Sequence, residues 1–241
     1  MVGNANMIKA TVKRLLGALG KEIRPLHAPT HSFAHALNLL RAHINPNTVI
    51  DVGVASGTPE LYRAFPKAAW LLIEANPAYQ AALDSLAEQL NAAIETVFCG
   101  AEHGQTTLNV FSDPRKSSAL QPTRPLQLVE RIVVPVKPLD ALVDKHTLSV
   151  PFLLKIDVEG AEMDVLRGAK STLAHCEAVI VETSVMPRFE GGAELADVVC
   201  AMRQAGFAVF DIAAGANHPR TGHLNQVDVF FVRADAPFRG G

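Results

Sequence analysis

The feature that most narrows the fold is an alternation running from residue 30 to the end of the chain. Short apolar runs take turns with segments whose apolar residues recur at helical spacing. Thr48–Val52 and residues 70–74, 152–157 and 178–182 are nearly continuous in apolar character, so each reads as a strand buried on both faces. Residues 95–99 read as a further strand, 107–111 and 132–136 as extra strands, and 207–212 and 227–232 as two closing ones. Phe33, Leu37 and Leu40 mark a helix over 30–43, stopped by Asn45-Pro46. Thr58-Pro59 has the form of a cap followed by a first-turn proline. Leu83, Leu86 and Leu90 mark a helix over 77–90, and Met163, Leu166 and Leu173 another helical stretch. Leu195, Val198, Val199 and Met202 form a helix ended by Gly206. Strands alternating with helices predict an open α/β sheet with helices on both faces, one domain over residues 30–241.

Composition excludes several other classes. The chain has 241 residues, 49% hydrophobic, enough to bury a core without cross-links. With 22 basic and 24 acidic side chains it lacks the electrostatic footprint of a nucleic-acid binder. Cys99, Cys176 and Cys200 form no CxxC pair and read as packing residues in a reducing, cytoplasmic setting. No run of about 18 apolar residues suggests a membrane span. Residues 1–29 read as a separate amphipathic helical appendage, with Ile8, Val12, Leu15, Leu16, Leu19 and Ile23 on one face and Lys9, Lys13, Arg14 and Lys21 interleaved. Such a helix docks on its own domain, on a second copy, or on an anionic membrane surface.

In an open α/β sheet, ligands bind beyond the C-terminal strand ends, where the strand order reverses. Four such ends carry suggestive residues. Asp51-Val-Gly53-Val-Ala55-Ser-Gly57 follows the first strand, with GxxxG spacing rather than the GxGxxG of dinucleotide sites. The loop suits close backbone approach to a ligand, or a plain strand-to-helix turn. Glu74 ends the next strand, about 20 residues further on, where an acidic side chain accepts both ribose hydroxyls of a nucleoside. Asp157 and Glu182 end two later strands. Lys155 and Asp157 share a face, and so apolar a run tolerates them only as a pair or against a ligand. Asp157 and Glu182, on neighbouring strands, would share a proton or hold a divalent cation such as Mg²⁺ or Mn²⁺. His218 and His223, between the closing strands, are alternative bases.

The stretch LLKIDVEGAEMDVLRGA, together with VIDVGVASG, IEANP and the tail GFAVFDI…NQVDVFFVR, resembles the FkbM family of S-adenosylmethionine-dependent methyltransferases over roughly residues 30–235. The KIDVEGAE block is the most specific part. The resemblance implies a Rossmann-like class I methyltransferase fold, with seven strands in the order 3-2-1-4-5-7-6 and strand 7 antiparallel. It implies O-methylation of a hydroxyl on a sugar or on a glycosylated or secondary-metabolite acceptor. Carried over by position, Asp51, Gly53, Ala55 and Gly57 would surround the methionine part of the cofactor, and Glu74 with Asn76 the ribose. Ala101 and Glu102 would lie by the adenine, and Ser118, with Ser117, would contact cofactor or acceptor. Ala55 departs from the family pattern, which has a second glycine there. Asp157, helped by Glu182, would take the acceptor proton. Two other functions remain open on the residues: a non-catalytic nucleoside-binding protein, and a nicotinamide-dependent oxidoreductase, which GxxxG disfavours.

Overall fold

The computed structural model describes residues 31–218 and 221–240. The amphipathic segment read over 1–29 lies outside the described residues. Seven strands form the main sheet: β1 (Thr48–Val52), β2 (Ala69–Ile73), β3 (Ala93–Glu95), β7 (Phe152–Ile156), β8 (Cys176–Ser184), β9 (Phe207–Ala214) and β10 (Gln226–Arg233). Their spatial order is β3-β2-β1-β7-β8-β10-β9. All pairings are parallel except those of β10, which runs antiparallel to β8 and β9. Counted within this sheet alone, the order is the expected 3-2-1-4-5-7-6 of a class I methyltransferase. The order reverses between β1 and β7, and that seam is where a ligand crevice opens.

Three further strands make a second, small sheet ordered β4-β6-β5: β4 (Phe98–Cys99), β5 (Gly104–Phe111) and β6 (Leu128–Lys137). This corrects one expectation. Residues 95–99 are not a single strand: Glu95 ends β3, and Phe98–Cys99 pair with Val136 and Lys137 of the small sheet.

Side-chain alternation along β1 explains the layering. Ile50 and Val52 face a core built with α4 (Leu139–His146), α5 (Glu162–Arg167), α6 (Lys170–Ala174) and α7 (Leu195–Gln204), through Leu142, Val165, Leu173 and Met202. Val49 faces the opposite core, built with α1 (Phe33–Leu40), α2 (Pro59–Ala64) and α3 (Gln80–Leu90), through Leu37, Leu61 and Leu83. A strand covered on both faces has no polar side, which is why these runs read as continuously apolar. Local signals also set the helix ends. Ser32 caps α1 by accepting the His35 N–H at 3.2 Å. Pro59 opens α2 although Thr58 makes no side-chain cap bond. Pro77–Tyr79 forms a 3-10 turn before α3, capped by Asn76, which accepts the Ala78 N–H at 3.0 Å.

Candidate active site

A cleft of about 480 Å³ opens over the C-terminal ends of β1, β2, β7 and β8. Its floor is the loop after β1. Gly53 N–H donates to the Ile73 carbonyl at 2.8 Å, and Asp157 N–H donates to the Val52 carbonyl at 2.9 Å, so the loop is clasped between β2 and β7. At Gly53 φ is +83°, and a Cβ there would lie 1.8 Å from the Asp157 carbonyl oxygen. Only glycine fits. Ala55 also has positive φ, +45°, and its N–H donates to Glu74 Oε2 at 2.8 Å.

Glu74 ends up buried at 8% exposure, its other oxygen accepting the Asn76 N–H at 2.7 Å. Burial raises its pKa, and the Asn76 and Ala55 amides oppose the rise. Each oxygen keeps lone-pair capacity toward the cleft. Asn76 in turn donates through Nδ2 to Ser117 Oγ at 3.2 Å, joining the tip of β2 to the segment after β5.

The charged centre lies beside the loop. Lys155 is 3% exposed, its Nζ 2.8 Å from Asp157 Oδ2 and 3.6 Å from Asp51 Oδ1. Asp51 is its register neighbour on β1, fully buried, with Oδ2 accepting from the Tyr62 hydroxyl at 3.1 Å. Burial raises the Asp51 pKa against the pull of Lys155. Burial alone would depress the lysine, but Asp157 and Asp51 hold its ammonium above the ordinary range. Burial also works against ionisation of Asp157, yet Lys155 and a hydrogen bond from Glu182 hold its pKa below the usual value. Glu182 moves the other way, raised by burial and by the Asp157 charge. Burial and the neighbouring charges thus push the two carboxyl groups apart, Glu182 toward the protonated and Asp157 toward the ionised form. Asp228 stands opposite Glu182 in the β8–β10 register, pushed up to about 6 by burial, with Lys155 opposing. Next to them Arg188 grips Glu159 with both nitrogens, at 2.7 and 3.0 Å.

A family model for the methyltransferase FkbM domain matches residues 51–209. The chain belongs to the FkbM methyltransferase family. A solved FkbM methyltransferase from Methylobacillus flagellatus KT is similar at 14% identity and a TM-score of 0.50, over 77% of this chain and 44% of that one. This chain therefore spans under half the length of that relative. A precorrin-6y C5,15-methyltransferase from Geobacter metallireducens GS-15 matches at 12% identity and TM-score 0.45, over 83% of this chain and 85% of that one. A magnesium protoporphyrin IX methyltransferase from Synechocystis PCC 6803 matches at 11% and 0.42, over 83% and 79%. No curated protein matches the sequence.

In this FkbM-family chain, Gly53, Ala55, Gly57, Glu74, Ser118, Asp157 and Glu182 all line the one cleft. Asp51 lies beneath the loop, and Asn76 is buried behind Glu74. The Ser118 hydroxyl donates to the Glu159 carbonyl at 2.5 Å and accepts the Leu120 N–H, so it fastens the post-β5 segment to the tip of β7. Ala101 and Glu102 lie outside the lining, where Val97, Phe98 and Cys99 stand instead. His223 is also outside it. Its Nδ1 lies 2.6 Å from Thr221 Oγ1, and its ring stacks on His218 at 4.9 Å. Asp228, Arg188, Tyr62 and Gln226 escaped sequence reasoning. Only β10 register or loop folding brings them here, apart from Tyr62, whose place one helical turn after the glycine loop was a usable signal. Among the described residues no group of three or more His, Cys, Asp or Glu side chains is placed to hold a metal. None of the described helices is long and apolar enough to cross a membrane.

Proposed function

We propose that this chain transfers a methyl group from S-adenosylmethionine to a hydroxyl oxygen of a saccharide or similar polyhydroxylated small molecule. The observation that carries this reading is the placement of Asp157 and Glu182 side by side on neighbouring strands, both lining the cleft next to the glycine loop, with the Lys155 ammonium 2.8 Å from Asp157. The residues suit the cofactor. The loop from Gly53 to Gly57 lines the cleft, Glu74 offers carboxylate lone pairs for a ribose diol, and the cleft spans both. When bound, S-adenosylmethionine supplies an electrophilic methyl on a sulfonium sulfur, which departs as a neutral thioether.

The chain's own work is placement and proton removal. Loop residues 53–57 and Glu74 hold the donor, while Asp157 and Glu182 face the acceptor from the β7 and β8 tips. Holding reactants about 3–3.5 Å apart supplies much of the acceleration in such a displacement. A sugar hydroxyl is a weak nucleophile at neutral pH, so its proton must leave as the new bond forms. Asp157 is ionised and accepts that proton. Glu182, protonated, holds the Asp157 carboxylate in place by hydrogen bonding. Lys155 lies on the far oxygen of Asp157, which directs the other toward the cleft.

A divalent ion suits this donor set poorly. One Asp157 oxygen is already taken by the Lys155 ammonium, which would compete with any cation for that carboxylate. Direct base catalysis is the version the geometry favours, with His223 set apart from the cleft. Labelled methyl transfer from S-adenosylmethionine into a panel of sugars and glycosides, read by mass spectrometry, tests the proposal. Cofactor binding without product on any hydroxylated acceptor would point to a nucleoside-binding protein instead.

A further inference from the structure

The Arg188–Glu159 ion pair plays no part in donor binding or proton removal, yet both side chains line the cleft. They stand at its acceptor end, where the Arg188 charge reaches Asp157 and the Glu159 charge reaches Glu182. As a stabilising device the pair is poor. The two side chains are only 15% and 13% exposed, and charges so far removed from water lose to desolvation most of what they gain from each other. The main chain around them is nevertheless fixed on both sides. The Arg188 carbonyl accepts from the Thr123 N–H at 2.8 Å and from the Thr123 hydroxyl at 3.1 Å, and Glu190 N–H donates to the Gln121 carbonyl at 2.8 Å. Next in the chain, Phe189 is buried over Gly160, where a Cβ would come within 3.2 Å of the phenylalanine side chain. Ser118 holds the Glu159 carbonyl from the other segment.

Two planar groups held this firmly keep unused valences. The guanidinium spends two of its five N–H groups on Glu159, and each carboxylate oxygen spends one lone pair in return. Resting on the saccharide-methyltransferase reading, we infer that the Arg188–Glu159 pair is the subsite for the acceptor hydroxyl adjacent to the one that is methylated. That hydroxyl accepts from Arg188 and donates to Glu159. Charge then selects the class of acceptor. Glu159 neutralises Arg188, and Asp157 and Glu182 stand beside them, so a phosphate or uronate at that carbon meets carboxylates. An uncharged hydroxyl answers both partners, because it is donor and acceptor at once. The acceptor is a neutral sugar ring whose neighbouring hydroxyl is free.

Competing acceptors read by mass spectrometry test this. The probes are methyl hexopyranosides of the gluco, galacto and manno series, each beside its monodeoxy analogues and its uronate. Removing the hydroxyl next to the methylated one lowers kcat/KM of the parent roughly 10- to 150-fold, the range for hydrogen bonds to charged groups. In Arg188→Gln the intact glycoside falls toward its deoxy analogue and the two no longer differ, as expected when residue and hydroxyl are coupled. Because that change could loosen the wall, Arg188→Lys is measured beside it. It keeps the charge, loses the fork, and narrows the discrimination at unchanged melting temperature and unchanged S-adenosylhomocysteine affinity. The inference is overturned if both Arg188 variants discriminate as the parent does, or if the parent prefers a uronate to the neutral glycoside. S-adenosylhomocysteine binding with no glycoside methylated removes the saccharide reading and this inference together. Methylation of a glycoside that ignores the neighbouring hydroxyl removes this inference alone.

Discussion

Lys155 Nζ lies 2.8 Å from Asp157 Oδ2, and this ammonium favours charge on Asp157, while burial and the Asp157 charge push the neighbouring Glu182 carboxyl toward its protonated form. Asp157→Asn keeps the size and the hydrogen bonding and removes the basicity. Turnover should fall by about 10²–10⁴, the usual share of general-base catalysis, with cofactor affinity little changed. His223→Ala should turn over normally. A dead His223→Ala beside an active Asp157→Asn would move the base to the β9–β10 hairpin. Chelator treatment gives a second check: activity restored by added Mg²⁺ or Mn²⁺ would reinstate a metal.

The role of Lys155 is readable in a pH profile. Its ammonium holds Asp157 below the ordinary carboxylate range, so kcat/KM should stay flat well into mild acid. Lys155→Met removes the charge that opposes desolvation of Asp157, and the acid limb should move to higher pH. An unmoved limb in a folded variant would mean that another group sets it.

Glu74 holds the loop through the Ala55 and Asn76 amides and, on the proposed reading, would hold the ribose as well. Glu74→Ala removes an acceptor from any ribose and also frees the Ala55 and Asn76 amides, each bonded within 2.8 Å. S-adenosylmethionine binding should weaken by about 1.5–3 kcal/mol, the range for hydrogen bonds to a charged group. Glu74→Gln keeps one carbonyl oxygen and should lose less. Equal affinity for all three proteins by calorimetry would remove the ribose assignment.

The glycine loop gives a stability test with opposite signs at two positions. Gly53→Ala puts a methyl into the Asp157 carbonyl and should cost at least about 2–3 kcal/mol. Ala55→Gly relieves a left-handed alanine, a gain of about 1–2 kcal/mol, against a glycine entropy loss of about 0.5–1 kcal/mol. It should be neutral to mildly stabilising in urea unfolding. Destabilisation by Ala55→Gly would show that the alanine methyl has packing value.

Glu162 links stability to pH. It is 4% exposed, its Oε1 accepts the Gly160 N–H, and burial pushes its pKa up to about 8. Below the ordinary glutamate value both folded and unfolded states hold the proton. Between that value and about 8 only the unfolded state releases it, so rising pH favours unfolding through this window and the cost levels off above it. Glu162→Gln cannot ionise. Its melting temperature should overtake the parent's across the same window, and parallel curves would mean that Glu162 does not titrate there.

Much of this was legible in the sequence, for physical reasons. β1 and β7 are apolar on both faces because two helical layers cover them, and Glu74 and Asp157 were found just past the ends of β2 and β7. Glu182, read as a strand end, instead lies inside β8, which runs on to Ser184. What escaped depends on pairing at long range. Residues 95–99 have uniform strand propensity, and nothing local says that Phe98 leaves the main sheet for Val136. Lys155 was recognisable as half of an ion pair with Asp157, but its second carboxylate, Asp51, comes from the β1–β7 register. Asp228 needed the antiparallel β8–β10 alignment to come opposite Glu182. Ala101 and Glu102 follow the expected strand, but that stretch turns into the small sheet, and they miss the cleft.

The Gly53 contact bears on how such a chain can change over time. Where the glycine loop meets Asp157 at the tip of β7, main chain lies against main chain, with no side chain wedged between them. The interval between them is therefore inherited with the backbone and indifferent to most substitutions around it. The surrounding walls can change while the loop and the Asp157 carboxylate keep their spacing.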